Sequence, residues 1–166
     1  MRALALAVLL SACAANVPED PMAPLQPLVG CWRGTFEGQP DIYDDRCFEP
    51  LGAHIVDEHF VRPTTYGGET TYGGETTYHY DDAQREVIWA YAANDGGRSN
   101  GVVTAQGDAL VFPPHTYRAP DGTEQRLRSR WTFDGADRFA AYSERFENGA
   151  WVVLMRIDYE RAPAAD

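Results

Sequence analysis

The feature that most constrains this chain is an alternation of apolar and polar residues that recurs from Leu28 almost to the end of the sequence. Such alternation is typical of β-strands with one face in a core and the other in water, because successive side chains point to opposite faces. Sets of residues that form tight turns separate the runs. Seven such sets predict an antiparallel meander of eight or more strands; they lie at 38–40, 81–82, 94–97, 106–108, 121–122, 134–135 and 148–149.

Three of the runs indicate which side chains share an inward face. Strands of this kind need a common core, which predicts an all-β, up-and-down barrel of about 8–10 strands, with a two-sheet sandwich as the alternative. We favour the barrel because closure removes exposed strand edges. Its aromatic residues would fill one end and leave the other open. The three inward sets are Val87, Trp89, Tyr91 and Ala93; Leu127, Ser129, Trp131 and Phe133; and Trp151, Val153, Met155, Ile157 and Tyr159.

The first residues carry the pattern of an export signal. Arg2 precedes an apolar run of about ten residues, whereas a transmembrane helix needs roughly 20. Residues 10–13, Leu-Ser-Ala-Cys, resemble the bacterial lipobox. The resemblance implies cleavage before Cys13 and a lipid anchor on its sulfur, which would hold the protein at a membrane. The alternative is an ordinary signal peptide cut near Ala12 or Ala15.

These patterns divide the chain into a signal peptide (1–12), a proline-rich tether (13–27), one barrel domain (28–162) and a tail (163–166). Ala14 resembles the residue that sends lipoproteins to the outer membrane, which implies a location on the periplasmic face of that membrane. The net charge of −11 argues against a nucleic-acid partner, since an acidic body repels phosphate. The chain lacks lysine, which excludes Schiff-base and phosphate-loop lysines.

Cys31 and Cys47 are the remaining cysteines, and an oxidising envelope favours their pairing. They are equidistant from residue 39, at the centre of the first predicted turn, so a hairpin places them opposite each other. The same register would set Arg33 against Asp45 and Phe36 against Ile42. Two free thiols are the alternative.

The segment before the first strand, Leu28 to Gly34, contains Gly-Cys-Trp and resembles the Gly-x-Trp opening of the calycin superfamily, which includes lipocalins, fatty-acid-binding proteins and nitrobindin-like barrels. The closing residues 157–161 are similar to the last strand of small bacterial calycin-like domains of uncharacterised function. The resemblance implies that Arg161 lies over Trp32 and caps one barrel end through a cation–π contact; plain core packing is the alternative for Trp32. Unlike typical lipocalins, the chain shows no C-terminal helix pattern. No histidine follows His115, which argues against haem.

The usual hydrolase, zinc and nucleotide motifs are absent from the sequence, so we predict no catalytic residue, no metal and no cofactor. The densest polar cluster is His54, Asp57, Glu58 and His59. On a regular strand His54 and Glu58 share one face while Asp57 and His59 share the other, so the four side chains would need a bulge to bind one metal. If the protein were an enzyme, Asp44 or Glu58 would be the inward acids.

Two further patterns have structural explanations. Arg126, Arg128 and Arg130 form an outward stripe that would pair with acidic residues across strands, or receive an anionic ligand. A hexapeptide, Thr-Thr-Tyr-Gly-Gly-Glu, occurs at 64–69 and again at 70–75. We interpret the duplication as a recent one in a loop or hairpin tip, with an aromatic flap as the alternative.

The functional hypothesis follows from the resemblance. A lipocalin-like envelope lipoprotein would bind or carry a small apolar molecule in its barrel. The alternatives are a filled barrel that serves as a structural or interaction protein and, third, an isomerase or hydratase. The candidate ligand-binding residues are Trp89, Tyr91, Trp131, Phe133 and Tyr142.

Overall fold

A computed structural model describes residues 20–63 and 72–162. The signal peptide, Cys13, the tether up to residue 19, residues 64–71 and the tail at 163–166 lie outside the described residues. A short 3₁₀ helix, Ala23–Leu28, precedes ten strands. The strands are β1 (Gly30–Phe36), β2 (Gln39–Leu51), β3 (His54–Pro63), β4 (Tyr72–Asp81), β5 (Glu86–Ala93), β6 (Arg98–Gln106), β7 (Ala109–Arg118), β8 (Glu124–Phe133), β9 (Arg138–Glu147) and β10 (Ala150–Arg161).

The ten strands form one closed antiparallel barrel. Each strand pairs with the next along the chain, and β10 pairs with β1, so the sheet has no free edge. The predicted up-and-down barrel is confirmed, and the two-sheet sandwich is excluded. Within the described part of the chain, no helix has the length and apolar character needed to cross a membrane.

The first hairpin has the predicted register over most of its length. Cys31 lies opposite Cys47, and the two form a disulfide, as expected. Arg33 lies opposite Asp45, and Arg33 Nε donates a 2.9 Å hydrogen bond to Oδ1 of the aspartate. The expectation for Phe36 is wrong: the register shifts after Thr35, and Phe36 pairs with Gln39 rather than with Ile42. An irregularity of this kind changes the pairing beyond it, which spacing from a turn does not reveal.

A second irregularity corrects the predicted face of β10. The register against β9 shifts between Val153 and Met155. Met155 and Ile157 line the barrel interior, whereas Val153 is 59% exposed. Trp151 packs on the outer surface, where the guanidinium of Arg128 lies 4.4 Å from its ring. The predicted inward set is therefore wrong for Trp151 and Val153, because one extra residue reverses the faces on one side of a bulge.

The 3₁₀ helix covers one end of the barrel. Leu25 and Leu28 are buried, and Met22 packs with them in the main core. Trp32 Nε1 donates a 2.7 Å hydrogen bond to the carbonyl of Leu28, and this bond ties the helix to β1. The packed domain therefore begins before Leu28 and includes the last part of the segment assigned to the tether. This segment packs on the barrel because its apolar side chains, Met22 and Leu25, can be buried only there.

Arg161 closes the same end from the last strand. Its guanidinium lies 4.1 Å from the centroid of the Trp32 ring. Nη1 donates to the carbonyl of Val29 at 2.9 Å, and Nη2 donates to the carbonyls of Pro27 and Ala136 at 3.1 and 2.9 Å. One side chain thus links the first residues of the domain, the β8–β9 turn and the final strand. Arg161 therefore lies over the Trp32 ring at this end of the barrel.

Aromatic side chains fill the half of the barrel next to this cap. Phe139 lies 4.4 Å from Tyr159 in a stacked pair and 4.9 Å from Trp32 in an edge-to-face pair. Phe48 and Tyr78 extend this layer across the barrel. These side chains fill the barrel interior at this end.

The second copy of the duplicated hexapeptide is partly described. Its last four residues, from Tyr72 to Glu75, belong to β4 and pair with β3 and β5. The interpretation as a loop or hairpin tip is therefore wrong for these residues, because their backbone belongs to the barrel ladder. The first copy, at 64–69, lies outside the described residues.

Candidate functional site

A cavity of about 470 Å³ occupies the half of the barrel away from the 3₁₀ helix. This volume falls in the range of small-molecule sites in proteins. Most of its wall is apolar, with a smaller polar area where tyrosine, histidine and acidic side chains converge. The apolar wall includes Trp89, Phe112, Leu127, Trp131 and Ile157.

Three of the five candidate ligand-binding residues line this cavity: Trp89, Tyr91 and Trp131. Phe133 shares the inward face with Trp131, but it lies nearer the covered end and packs on Phe139 at 6.0 Å. Tyr142 stands between the inward Ala141 and Ser143 and is 37% exposed. The placement of Phe133 and Tyr142 in the cavity is therefore wrong. For Tyr142 the parity of β9 contained the signal, since Phe139 and Ala141 set the inward face.

A hydrogen-bonded chain of polar side chains lies along one wall of the cavity. His59 Nδ1 lies 3.1 Å from Asp44 Oδ1, and His59 Nε2 lies 3.0 Å from the Tyr91 hydroxyl. The Tyr91 hydroxyl is in turn 2.8 Å from the hydroxyl of Tyr72. All four residues line the cavity, and Asp44 and His59 are buried. The hydrogen-bonded chain of side chains joins four consecutive strands, β2, β3, β4 and β5, so the pairing of these strands assembles it.

A glycine makes room for this chain. A Cβ atom on Gly74 would lie 2.5 Å from Cε2 of Tyr91 and 2.7 Å from the carbonyl oxygen of Ala92. Side-chain carbon atoms do not approach backbone oxygen so closely, so the position needs a glycine for Tyr91 to turn inward. Gly74 belongs to the duplicated hexapeptide, which gives that sequence a structural role in β4.

A second set of charged groups lies behind the chain. Arg46 Nε lies 3.5 Å from Asp44 Oδ2 and 3.5 Å from Asp57 Oδ1. The Tyr159 hydroxyl donates a 2.5 Å hydrogen bond to Asp44 Oδ2. Asp57 is completely buried, and neither of its carboxylate oxygens has a hydrogen-bond partner of good geometry among the described residues. The Arg46 guanidinium therefore lies beside two buried carboxylates.

These surroundings affect the two carboxylates differently. Burial acts to raise the pKa of Asp44, but the hydrogen bond from His59 and the charge of Arg46 outweigh it, and the pKa is lowered. Asp44 is thus a carboxylate near neutral pH, and it accepts a hydrogen bond from Nδ1 of His59. Burial dominates at Asp57 and raises its pKa to about 6, although Arg46 opposes the shift. Asp57 therefore changes charge in the range where cells work.

The tyrosines of the cavity remain neutral hydrogen-bonding groups. Burial raises the pKa of Tyr91 to about 12 and raises the pKa of Tyr72 as well. Burial also raises the pKa of Tyr159. A neutral phenol donates one hydrogen bond and accepts others. The cavity thus offers a bound molecule hydroxyl groups rather than phenolate nucleophiles.

The cluster at residues 54–59 follows the alternation of β3. Asp57 and His59 point inward and are buried, whereas His54 and Glu58 are exposed. The suggestion of Glu58 as an inward acid is therefore wrong, and Asp57 takes that place beside Asp44. In residues 20–63 and 72–162, no three side chains of the histidine, cysteine, aspartate and glutamate types come together as a metal site.

The arginine stripe of β8 lies on the outer surface. Arg128 Nε forms a 2.5 Å ion pair with Glu144 on β9, which is the cross-strand pairing that the sequence suggested. Arg126 lies 5.6 Å from the Trp151 ring, so arginines and aromatics stack on this face. None of the stripe lines the cavity.

Sequence reasoning missed the polar chain because its members are far apart in sequence. The sequence places His59 and Asp44 in separate candidate sets and gives no sign of Arg46 or Tyr72. The available signal was the inward parity of each residue on its own strand. Without the register between strands, parity does not show which inward side chains meet.

Comparisons with known proteins give a family and a fold. A search of curated proteins finds no match. Among solved structures, the chain is similar to the crystal structure of Rv2717c from M. tuberculosis, with 15% sequence identity and a TM-score of 0.60 over 86% of this chain and 98% of that one. A likeness at this identity supports the barrel fold alone. The model of a family described as "Protein of unknown function (DUF1579)" matches residues 17–161. This chain therefore belongs to the DUF1579 family.

Proposed function

We propose that this protein is a calycin-like envelope lipoprotein that binds or carries a small, mainly apolar molecule in its barrel. The observation that carries the proposal is the 470 Å³ cavity, which has an apolar wall and a buried chain of polar groups on one side. Binding sites for small molecules combine these two properties. A barrel that served only as a structural body would gain stability by filling this space.

The apolar wall supplies the affinity in this proposal. The cavity volume of about 470 Å³ is large enough for a small organic ligand. Trp89, Trp131 and Leu127 offer it flat and branched surfaces. Removing apolar surface from water stabilises a complex by about 25 cal/mol per Å² before the costs of association are counted.

The polar chain supplies the orientation. Tyr91 and Tyr72 present hydroxyl groups on the cavity wall, and His59 fixes Tyr91 from behind. A ligand with one polar end would place that end against these hydroxyls and its apolar part against Trp89 and Trp131. Few polar groups at fixed positions are sufficient to select a binding orientation.

The envelope location belongs to the same proposal. Residues 10–13 resemble a lipobox with Cys13 as the anchor, and the Cys31–Cys47 disulfide fits an oxidising compartment. A lipid anchor would hold the cavity close to a membrane, where apolar molecules are concentrated.

A proton-transfer enzyme is the second candidate, favoured by the Asp44–His59–Tyr91 chain. A carboxylate that orients a histidine, which in turn contacts a hydroxyl, can move a proton to or from a bound molecule. Enolisable ketones provide a direct test: the protein would accelerate deuterium exchange beside the carbonyl of 2-decanone in D₂O, followed by NMR. A His59→Gln variant with unchanged exchange would remove this candidate.

The main proposal is tested with residues 16–166 exported behind a cleavable signal peptide, a form that carries no lipid and can be purified without detergent. Native mass spectrometry of protein from its own envelope should show a retained small molecule. A Ser129→Phe variant fills the cavity from β8 and should lose that molecule. Thr116→Phe adds the same ring at an exposed position on β7 and should retain it. Apoprotein in all three samples, with no apolar compound raising the melting temperature, would contradict the proposal.

A further inference from the structure

We infer that the cavity accepts amphiphiles with an uncharged hydrogen-bonding head, such as an alcohol or a ketone, and rejects carboxylates. This inference rests on the proposed function, since it specifies the chemistry of the molecule that the same cavity binds. The structural basis is that Arg46, the one arginine lining the cavity among the described residues, already serves two buried carboxylates.

Arg46 is held away from a ligand by its surroundings. Its Nε atom lies between Asp44 and Asp57, and 12% of its side chain is exposed. The rings of Trp131 and Tyr159 lie 5.1 and 5.7 Å from its guanidinium carbon. A ligand carboxylate at this guanidinium would add a third negative charge beside Asp44 and Asp57. Burial of that charge is unfavourable because one positive charge would then compensate three negative ones.

The charges around the cavity also oppose an anion. Asp44 and Asp57 together carry two negative charges when ionised, whereas Arg46 carries one positive charge. The other titratable side chains on the wall are His59, His115 and tyrosines, and burial lowers the pKa of His115. A third carboxylate would therefore enter a region that already has more acidic than basic groups. In a poorly hydrated cavity such repulsion is weakly screened.

A neutral head group meets complementary partners instead. Tyr91 and Tyr72 stay protonated because burial raises their pKa values. The Tyr91 hydroxyl donates to the Tyr72 oxygen, so the Tyr72 hydroxyl is the one that can donate to a carbonyl or exchange hydrogen bonds with an alcohol. Ser99 and Ser129 add hydroxyl groups elsewhere on the cavity lining. These groups bind a neutral head without moving the buried ion pairs.

The experiment uses 1-decanol and decanoate, which have the same chain length and differ in head charge. Both are titrated at pH 8 into the lipid-free protein of residues 16–166, and binding is followed by the intrinsic tryptophan fluorescence, to which Trp89 and Trp131 on the cavity wall contribute. The expected result is at least tenfold tighter binding of decanol. Decanoate binding as tightly as decanol would overturn the inference while the proposed function stands. No binding of either compound would contradict both.

An Asp57→Asn variant tests the physical cause. Asp57 does not line the cavity, so the substitution removes one negative charge and leaves the shape of the wall unchanged. We expect decanoate affinity to rise at least tenfold and decanol affinity to stay within threefold. Asp45→Asn is the matched control, because Asp45 lies on the outer face of the same sheet and pairs with Arg33. An unchanged preference in a folded Asp57→Asn protein would overturn the explanation, and the comparison in the parent protein does not depend on this variant folding.

Discussion

His59 on β3 and Asp44 on β2 are joined by a hydrogen bond of 3.1 Å between Nδ1 and Oδ1 inside the barrel. The two residues occupy diagonal positions of neighbouring strands, since Arg46 pairs with His59 and Asp44 pairs with Val61. The bond fixes the histidine ring so that Nε2 faces Tyr91 at the cavity wall. The polar chain thus depends on one carboxylate, which also accepts from Tyr159.

Replacement of Asp44 by asparagine should destabilise the fold. The asparagine amide has no charge to interact with Arg46 and His59. Its nitrogen donates hydrogen bonds and cannot accept them, so the amide cannot replace both oxygens of the carboxylate. We expect the free energy of unfolding to fall by about 2–4 kcal/mol, since breaking a buried charged network leaves partners unpaired. Urea unfolding measures the change. Asp41→Asn, at an exposed position of β2, should have an effect within about 0.5 kcal/mol; equal losses in the two variants would contradict the role of Asp44.

The contribution of Asp57 to the free energy of unfolding should decrease as the pH rises from about 4 to about 6. Its pKa rises from 3.8 to about 6 on folding, so between these values the folded protein binds more protons than the unfolded chain. The contribution is fully present below the unfolded pKa and is lost as the pH rises through the folded pKa. Other carboxylates, such as Asp44 with its lowered pKa, act in the opposite direction. The useful quantity is therefore the difference between the parent and the Asp57→Asn variant.

That difference should change by on the order of 2–3 kcal/mol across the window, with Asp57→Asn gaining relative stability toward pH 7. Urea unfolding at half-unit pH steps from 3.5 to 7.5 gives the two curves. Parallel curves would show that Asp57 titrates alike in the folded and unfolded protein.

Loss of the Cys31–Cys47 disulfide should destabilise the barrel without changing its secondary structure. The bridge closes a loop with a sequence separation of 16, which corresponds to about 3 kcal/mol in the chain-entropy model. A Cys31→Ser, Cys47→Ser double variant should show this loss in urea and retain its far-ultraviolet circular dichroism. Dithiothreitol should lower the stability of the parent protein and leave the double variant unchanged. A response of both proteins would point to another effect of the reductant.

Arg161 should contribute more to stability than an arginine on the outer face of the same strand. It combines the cation–π contact with Trp32 and hydrogen bonds to the carbonyls of Val29, Pro27 and Ala136. We expect Arg161→Gln to cost about 2 kcal/mol. Arg156→Gln is the control, because Arg156 is exposed and pairs with Asp158 on its own strand. Comparable thermal midpoints for the two variants would argue against the cap.

The local sequence pattern was sufficient to predict the strands of the fold. Alternation and turn residues predict the strands, and residue 39 as a centre predicts the Cys31–Cys47 pair, because the period of a strand and the geometry of a hairpin are properties of neighbouring residues. The same local parity groups Asp57 with His59 on one face of β3, but the choice of Glu58 as the inward acid is wrong, because alternation alone does not say which face is turned inward.

The tertiary structure alone decided which inward residues meet and where the alternation breaks. The irregularity between Val153 and Met155 turns Trp151 outward, and no residue in that segment marks it. Asp44, Arg46, His59 and Tyr91 become neighbours only when strand register and closure of the sheet bring them into one half of the barrel. The sequence by itself therefore determined the strands and their alternation. The inward face of some strands, the cavity and its buried charges depend on long-range pairing, which the period of a single strand does not contain.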